Sequence, residues 1–234
     1  MKQHVTNTVR NHVIRGYEDR RSDTVVVFFH GFTGHMAESG RLFYDLAERF
    51  AAGGYSTLRF DWLGHGESDL AFDEIRVPLL QEQAKVVLDY AKQNYKTIHL
   101  LGFSMGGAFA MNALDDTIET AILLAPAFNM SNIAEYYFKD TTSDLRDLGG
   151  ILLHRAFAEG FRALDTLKNA KRFKRPILLV QGEMDQAVPL GQTEYLHEQL
   201  PTSRLVVVPE ADHCFHRQSQ HHNIAETILA FLSE

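Results

Sequence analysis

The stretch Ile98-His99-Leu100-Leu101-Gly102-Phe103-Ser104-Met105-Gly106-Gly107-Ala108-Phe109-Ala110 decides how this chain folds. Its first four residues form a short apolar run of the kind buried on both faces of a parallel sheet. Its last residues can open a helix. Between them lies Gly-x-Ser-x-Gly, a pattern that turns sharply from strand to helix and lifts a serine above the strand end. The glycines leave room for close backbone approach. The helix start behind Ser104 offers unpaired N–H groups and a dipole that favours negative charge. An ordinary Gly/Ser-rich turn could carry the same pattern, so the surrounding chain has to support the reading.

Outward from this stretch, similar apolar runs recur at Val25–Phe29, Ala121–Leu124, Ile177–Val180 and Leu205–Val208. Ser56–Phe60 reads as a weaker sixth strand, and Val5–Val9 with His12–Tyr17 as an antiparallel pair at the sheet edge. Amphipathic stretches separate the runs. Leu42, Phe43, Leu46, Ala47 and Phe50 mark one helical face, ended by Gly53-Gly54. Leu79, Leu80, Val86, Val87, Tyr90 and Ala91 mark a second, after Pro78. A third ends near Leu200 before Pro201, and Ile224, Ile228, Leu229 and Leu232 mark a C-terminal helix. Such alternation predicts an α/β fold: a mostly parallel twisted sheet with helices on both faces. One domain over 1–234 is expected. Residues 127–175 interrupt the alternation, with no strand signal and with aromatics at Tyr136, Tyr137, Phe138, Phe157 and Phe161. They are expected to form a small lid insertion over a site.

Composition narrows the functional classes. The chain has 234 residues, with 23 Lys+Arg against 30 Asp+Glu and a formal net charge of -7. That balance opposes nucleic-acid binding, which needs a basic footprint. The five cations between Lys168 and Arg175 read as a solvated helix end. The single cysteine, Cys214, excludes an intramolecular disulfide and a Cys-based zinc site. It reads as a small buried filler. Met1–Gly16 lacks the apolar core of a signal peptide, and no run reaches the ~18 residues of a membrane span. A cytoplasmic protein is expected, with a homodimer left open.

A serine becomes a nucleophile only when a base takes its proton. Among the 12 histidines, His213 stands out because it follows the strand Leu205–Val208, at the end where sites form in open α/β sheets. His216, His221 and His222 fall in a polar stretch that reads as exposed. Asp185, past the end of Ile177–Val180, is the candidate to orient the imidazole, with Glu183 and Asp212 as competing carboxylates. The developing oxyanion needs preorganised donors. The N–H of Met105 is one candidate. The N–H of Phe32, in the glycine-containing strand exit His30-Gly31-Phe32-Thr33-Gly34, is the other.

These segments together resemble the α/β-hydrolase fold family over nearly the whole chain. Five matches stand in order: His30–Gly34, Asp61-Trp62-Leu63-Gly64-His65-Gly66-Glu67-Ser68, Gly102–Gly106, Gly182–Pro189, and Asp212-His213. In the second, Asp61 and Ser68 read as structural, holding a turn beside the site. Within the family, the His-Gly-Phe-Thr-Gly loop and the short insertion resemble small bacterial carboxylesterases of the feruloyl/cinnamoyl esterase type. The elbow departs from that pattern in carrying Phe103, where many relatives have histidine. The resemblance implies hydrolysis of a small-molecule ester through an acyl-enzyme, with no cofactor or metal. Three readings stay open beside it: a peptidase acting near proline, with an acidic amine pocket from Glu183, Asp144 or Asp147; a thioesterase or lysophospholipase; and a non-catalytic binding module.

Overall fold

The computed structural model describes residues 1–234. In chain order the strands and helices are β1 (Lys2–Val9), β2 (His12–Asp19), β3 (Thr24–Phe29), α1 (Leu42–Ala52), β4 (Ser56–Phe60), α2 (Val77–Asn94), β5 (Thr97–Phe103), α3 (Met105–Ala113) and β6 (Ile118–Leu124). They continue with α4 (Ile133–Phe138), β7 (Leu145–Asp147), β8 (Leu152–His154), α5 (Arg155–Gly160), α6 (Thr166–Arg172), β9 (Ile177–Gly182), α7 (Leu190–Gln199), β10 (Ser203–Val208) and α8 (Gln218–Leu232).

Eight strands make one sheet in the order β1-β2-β4-β3-β5-β6-β9-β10. The pairs from β4 through β10 are parallel, and β1 and β2 add an antiparallel edge. The apolar runs become central strands because helices cover both faces of the sheet. One face carries the larger core, where Leu80, Val87, Phe109 and Leu196 of α2, α3 and α7 meet Val25, Val27, Leu100 and Leu179. The other packs Leu42, Leu46 and Phe50 of α1 and Ile224 and Ile228 of α8 on Val26, Phe28, Leu101 and Leu178. This is the layered α/β architecture expected from the alternation.

Three details differ from the sequence reading. The run Leu205–Val208 is only partly covered, with Val207 exposed, because β10 closes the sheet and has one neighbour strand. Residues 127–175 do contain strands: β7 and β8 form a three-pair hairpin around Gly149-Gly150. Such short strands, apart from the main sheet, show no apolar alternation. Within this excursion Phe138, Phe157 and Phe161 are buried in the larger core. Finally, His221 is not a surface residue. It begins the inward face of α8, 2% exposed, with Nδ1 2.8 Å from the Asp45 carboxylate on α1. The polar stretch hid it because the apolar period of α8 becomes visible only from Ile224 onward.

His99 on β5 carries a titration consequence. It is buried against Tyr55, and its Nδ1 has no hydrogen-bond partner. Burial therefore pushes the imidazole down from 6.5 to about 4, against a small opposing pull from Glu119. Between those values the unfolded chain takes up a proton that the native one refuses, so stability falls as pH drops from about 6.5 to about 4. His99→Phe removes this linkage. Compared by urea unfolding at pH 7.5 and pH 5.5, the variant should gain on the order of 1 kcal/mol on the wild type at the lower pH.

Candidate active site

Strand register assembles the site. Phe29 pairs with Gly102 across β3 and β5, so the chain leaving β3 runs beside the turn leaving β5. Val208 pairs with Gly182 across β10 and β9, so residues 183–185 emerge beside 209–213. All four exits lie at the C-terminal edge of the sheet. Strand order also reverses here, because successive strands β3 and β4 proceed to one side and β5 starts the other.

Ser104 sits at φ 52° and ψ -119°, a strained backbone for a residue with a side chain. Two glycines make the turn feasible. A Cβ at Gly106 would lie 2.0 Å from the Phe29 carbonyl oxygen, and one at Gly102 would lie 2.5 Å from the Gly106 carbonyl oxygen. The Ser104 N–H donates to Leu124 O at 3.0 Å, which ties the turn to the end of β6.

His213 Nε2 lies 2.9 Å from Ser104 Oγ, and its Nδ1 lies 2.7 Å from Asp185 Oδ2. A carboxylate can only accept, so the proton resides on Nδ1 and the Nε2 lone pair faces the serine hydroxyl. The Asp185 side chain is wholly buried. Its Oδ1 accepts from the N–H groups of Ala187 and Val188, at 2.9 and 2.8 Å. Phe103, the residue where the elbow departs from the expected histidine, packs its ring on the imidazole at 5.1 Å. The competing carboxylates go elsewhere: Glu183 accepts from the Glu210 N–H, and Asp212 bonds to His216.

The two candidate oxyanion donors, Phe32 and Met105, line the same cavity as Ser104 and His213. Met105 is the first residue of α3, so its N–H has no acceptor within that helix. The Phe32 N–H donates to no protein acceptor. Around Phe32 the structure shows supports that sequence reasoning missed. His30 is buried, and its Nδ1–H donates to Gly31 O at 2.9 Å, gripping the peptide that carries the Phe32 N–H. Its Nε2 accepts the Trp62 N–H, and the Trp62 indole N–H donates to His30 O. Burial holds His30 well below its ordinary range, so it stays neutral in this role. His65 packs at 5.1 Å from His30 and is likewise pushed down to about 4 by burial. Glu38 turns inward from φ 61° and accepts the Gly31 N–H at 2.7 Å and the Ser39 N–H at 3.0 Å. Its burial raises the carboxyl above the usual range. The one available signal for Glu38 was its spacing after the glycine loop, which no local pattern distinguishes from a surface acid.

Asp61 and Ser68 behave as turn residues. Asp61 accepts the N–H groups of Met36 and Glu67, and the Ser68 hydroxyl donates to Asp61 O.

The cavity above Ser104 holds about 530 Å³. Its lining combines apolar and aromatic residues, Met130, Ile133, Tyr136 and Tyr137, with the neutral polar residues Asn129, Asn132, Gln186 and Gln192. No Asp, Glu, Lys or Arg side chain lines it. Asp144 is exposed, and Asp147 caps the hairpin tip through the N–H groups of Gly149 and Gly150.

Residues 20–155, more than half of the chain, match the family described as serine aminopeptidase, S33. The chain belongs to this α/β-hydrolase family. Residues 161–234 match a second family of the fold, described as TAP-like protein. Among solved structures, Est1E from Butyrivibrio proteoclasticus with bound ferulic acid superposes with a TM-score of 0.89, at 25% identity and with 97% of each chain covered. Among curated proteins, human ABHD12B is 28% identical over 191 residues, which is 76% of this chain and 50% of that protein. A 2-hydroxy-6-oxononadienedioate/2-hydroxy-6-oxononatrienedioate hydrolase of Pseudomonas sp is 36% identical over 94 residues, 40% of this chain and 32% of that protein. The chain thus spans half or less of the curated relatives it matches. No helix is long and apolar enough to cross a membrane.

Removing the Glu38 carboxylate should loosen the strand exit. Glu38→Ala leaves the buried Gly31 N–H without its acceptor and should cost about 1–3 kcal/mol in urea unfolding. Glu38→Gln retains one acceptor oxygen and should cost less.

Proposed function

We propose that the protein is a serine carboxylic ester hydrolase acting through an acyl-enzyme. The observation that carries this reading is the continuous run of contacts Ser104–His213–Asp185 at 2.9 and 2.7 Å, open to an uncharged cavity. Ser104 Oγ attacks the ester carbonyl while His213 Nε2 takes its proton. Asp185 orients the imidazole and stabilises the imidazolium. The N–H groups of Phe32 and Met105 hold the oxyanion. The tetrahedral species collapses, and His213 returns the proton to the departing alcohol. Water then repeats the sequence: His213 takes its proton, the hydroxide attacks the acyl carbonyl, and Ser104 leaves with the proton restored. These steps need no cofactor or metal.

The cavity lining favours esters over peptides with a free amine. An aminopeptidase needs an anion for the substrate ammonium, and none of Glu183, Asp144 or Asp147 lines the cavity. The pairing of aromatic side chains with neutral amides suits an uncharged aromatic acyl group bearing hydroxyls, of the hydroxycinnamoyl type. The likeness to ferulate-bound Est1E supports the same choice. Residues 127–175 supply the wall from Asn129 to Tyr137, and we assign them the role of a lid.

Ser104→Ala should abolish both burst-phase release from an activated aryl ester and labelling by a fluorophosphonate, with unfolding unchanged. Undiminished turnover in that variant would rule out the assignment. Asp185→Asn should lower kcat by on the order of 10⁴ by mis-setting the imidazole tautomer. A hydroxycinnamoyl methyl ester should be turned over in preference to an aminoacyl amide, and the reverse order would favour the peptidase reading.

A further inference from the structure

Asp185 is also held by a buried amide. Gln181, near the end of β9, has no exposed surface. Its Nε2 donates to Asp185 Oδ2 at 2.8 Å and to Val188 O at 3.0 Å. Its Oε1 accepts the hydroxyl of Thr193 on α7 at 2.6 Å, and Thr193 is itself fully buried. Both N–H bonds and the carbonyl of this amide are therefore engaged. Its orientation follows from those partners. Turned over, Oε1 would face two acceptors, the carboxylate and the Val188 carbonyl, and both N–H donors would be withdrawn from them. The Asp185 carboxylate and the Val188 carbonyl, which can only accept, select the face that the amide presents, and the Thr193 hydroxyl holds its oxygen in place.

We propose that Gln181, locked by Thr193, is a positioning residue that holds the Asp185 carboxylate for His213. The proposal rests on the triad reading given above. Asp185 Oδ2 receives the Gln181 N–H and the His213 Nδ1–H at once. The Gln181 N–H fixes the direction of the carboxylate and draws off part of its charge. Without that donor, Oδ2, which also faces His213, keeps more of the charge and stabilises the imidazolium. The neutral base then forms only at higher pH. Among other charged groups, Glu38 reaches His213 through its field from the β3 exit. Cys214 and Asp212 flank His213 in the chain, and Asp212 is already bonded to His216. None of these is altered by the variants below.

The test follows the far-downfield Nδ1 proton of His213 by NMR across pH, assigned by its loss in His213→Gln. Turnover of an aryl ester is measured in parallel. In Gln181→Met, the imidazole titration and the acid limb of kcat/KM should both move up by about half to one pH unit. Loss of the orienting contact should lower kcat roughly ten-fold with KM little changed. Thr193→Val, which removes the lock and leaves Gln181 in place, should move the titration in the same direction by less. Thr193→Ser keeps the hydroxyl and should titrate like the wild type. An unchanged titration in Gln181→Met and Thr193→Val would overturn the proposal, even if both lower thermal stability. Should Gln181→Met fail to fold, the Thr193 pair decides alone. With Ser104→Ala inactive, that negative result removes only the role of Gln181. Full turnover in Ser104→Ala would remove the triad reading and this proposal with it.

Discussion

The tight turn between β5 and α3 is the constraint on which the remaining geometry depends. Ser104 can hold φ 52° only because α3 begins at once, and α3 can begin at once only because Gly102 and Gly106 carry no Cβ. The backbone of β3 passes within 2.0 Å of where a Gly106 side chain would start. That closeness brings the Phe32 strand exit within reach of the serine. The strain at Ser104 is offset by the sheet on either side, because β5 is paired along its length with β3 and β6.

A second set of contacts holds the Asp185–His213 half of the site. Asp185 is a buried carboxylate, and a buried charge persists only when its lone pairs are engaged. Two loop N–H groups, one amide N–H and the imidazole meet that need. They come from three parts of the chain: the turn after β9, β9 itself and the loop after β10. The carboxylate therefore organises the loops as much as they organise it. His213 lies between this anchored group and Ser104, with Phe103 against its ring to limit rotation.

Histidine shows how one residue type is sorted by environment. His30, His65 and His99 are buried and held neutral by desolvation. His30 uses its neutrality to accept one N–H and donate another around the Phe32 peptide. His221 faces Asp45 between α1 and α8, and His216 lies outside with Asp212. Only His213 has a carboxylate at one nitrogen and a serine hydroxyl at the other.

Several of these features were legible in the sequence. The apolar runs, the helical periods and the glycine pattern around Ser104 are local, and local steric rules predict strand, turn and helix from neighbouring residues. The order of Ser104, Asp185 and His213 was readable for the same reason, since each follows a recognisable strand. The partners Gln181, Thr193, His30 and Glu38 were not readable, because nothing in their own neighbourhoods marks them. Gln181 sits in a strand that reads as apolar, and Glu38 reads like any surface acid. The hairpin at 145–154 and the burial of His221 escaped for a related reason, being decided by packing against distant elements. The sequence by itself determined the kinds of element and which residues end them. Only the tertiary structure decided which buried polar group meets which, because hydrogen-bond pairing depends on distances between segments that lie far apart along the chain.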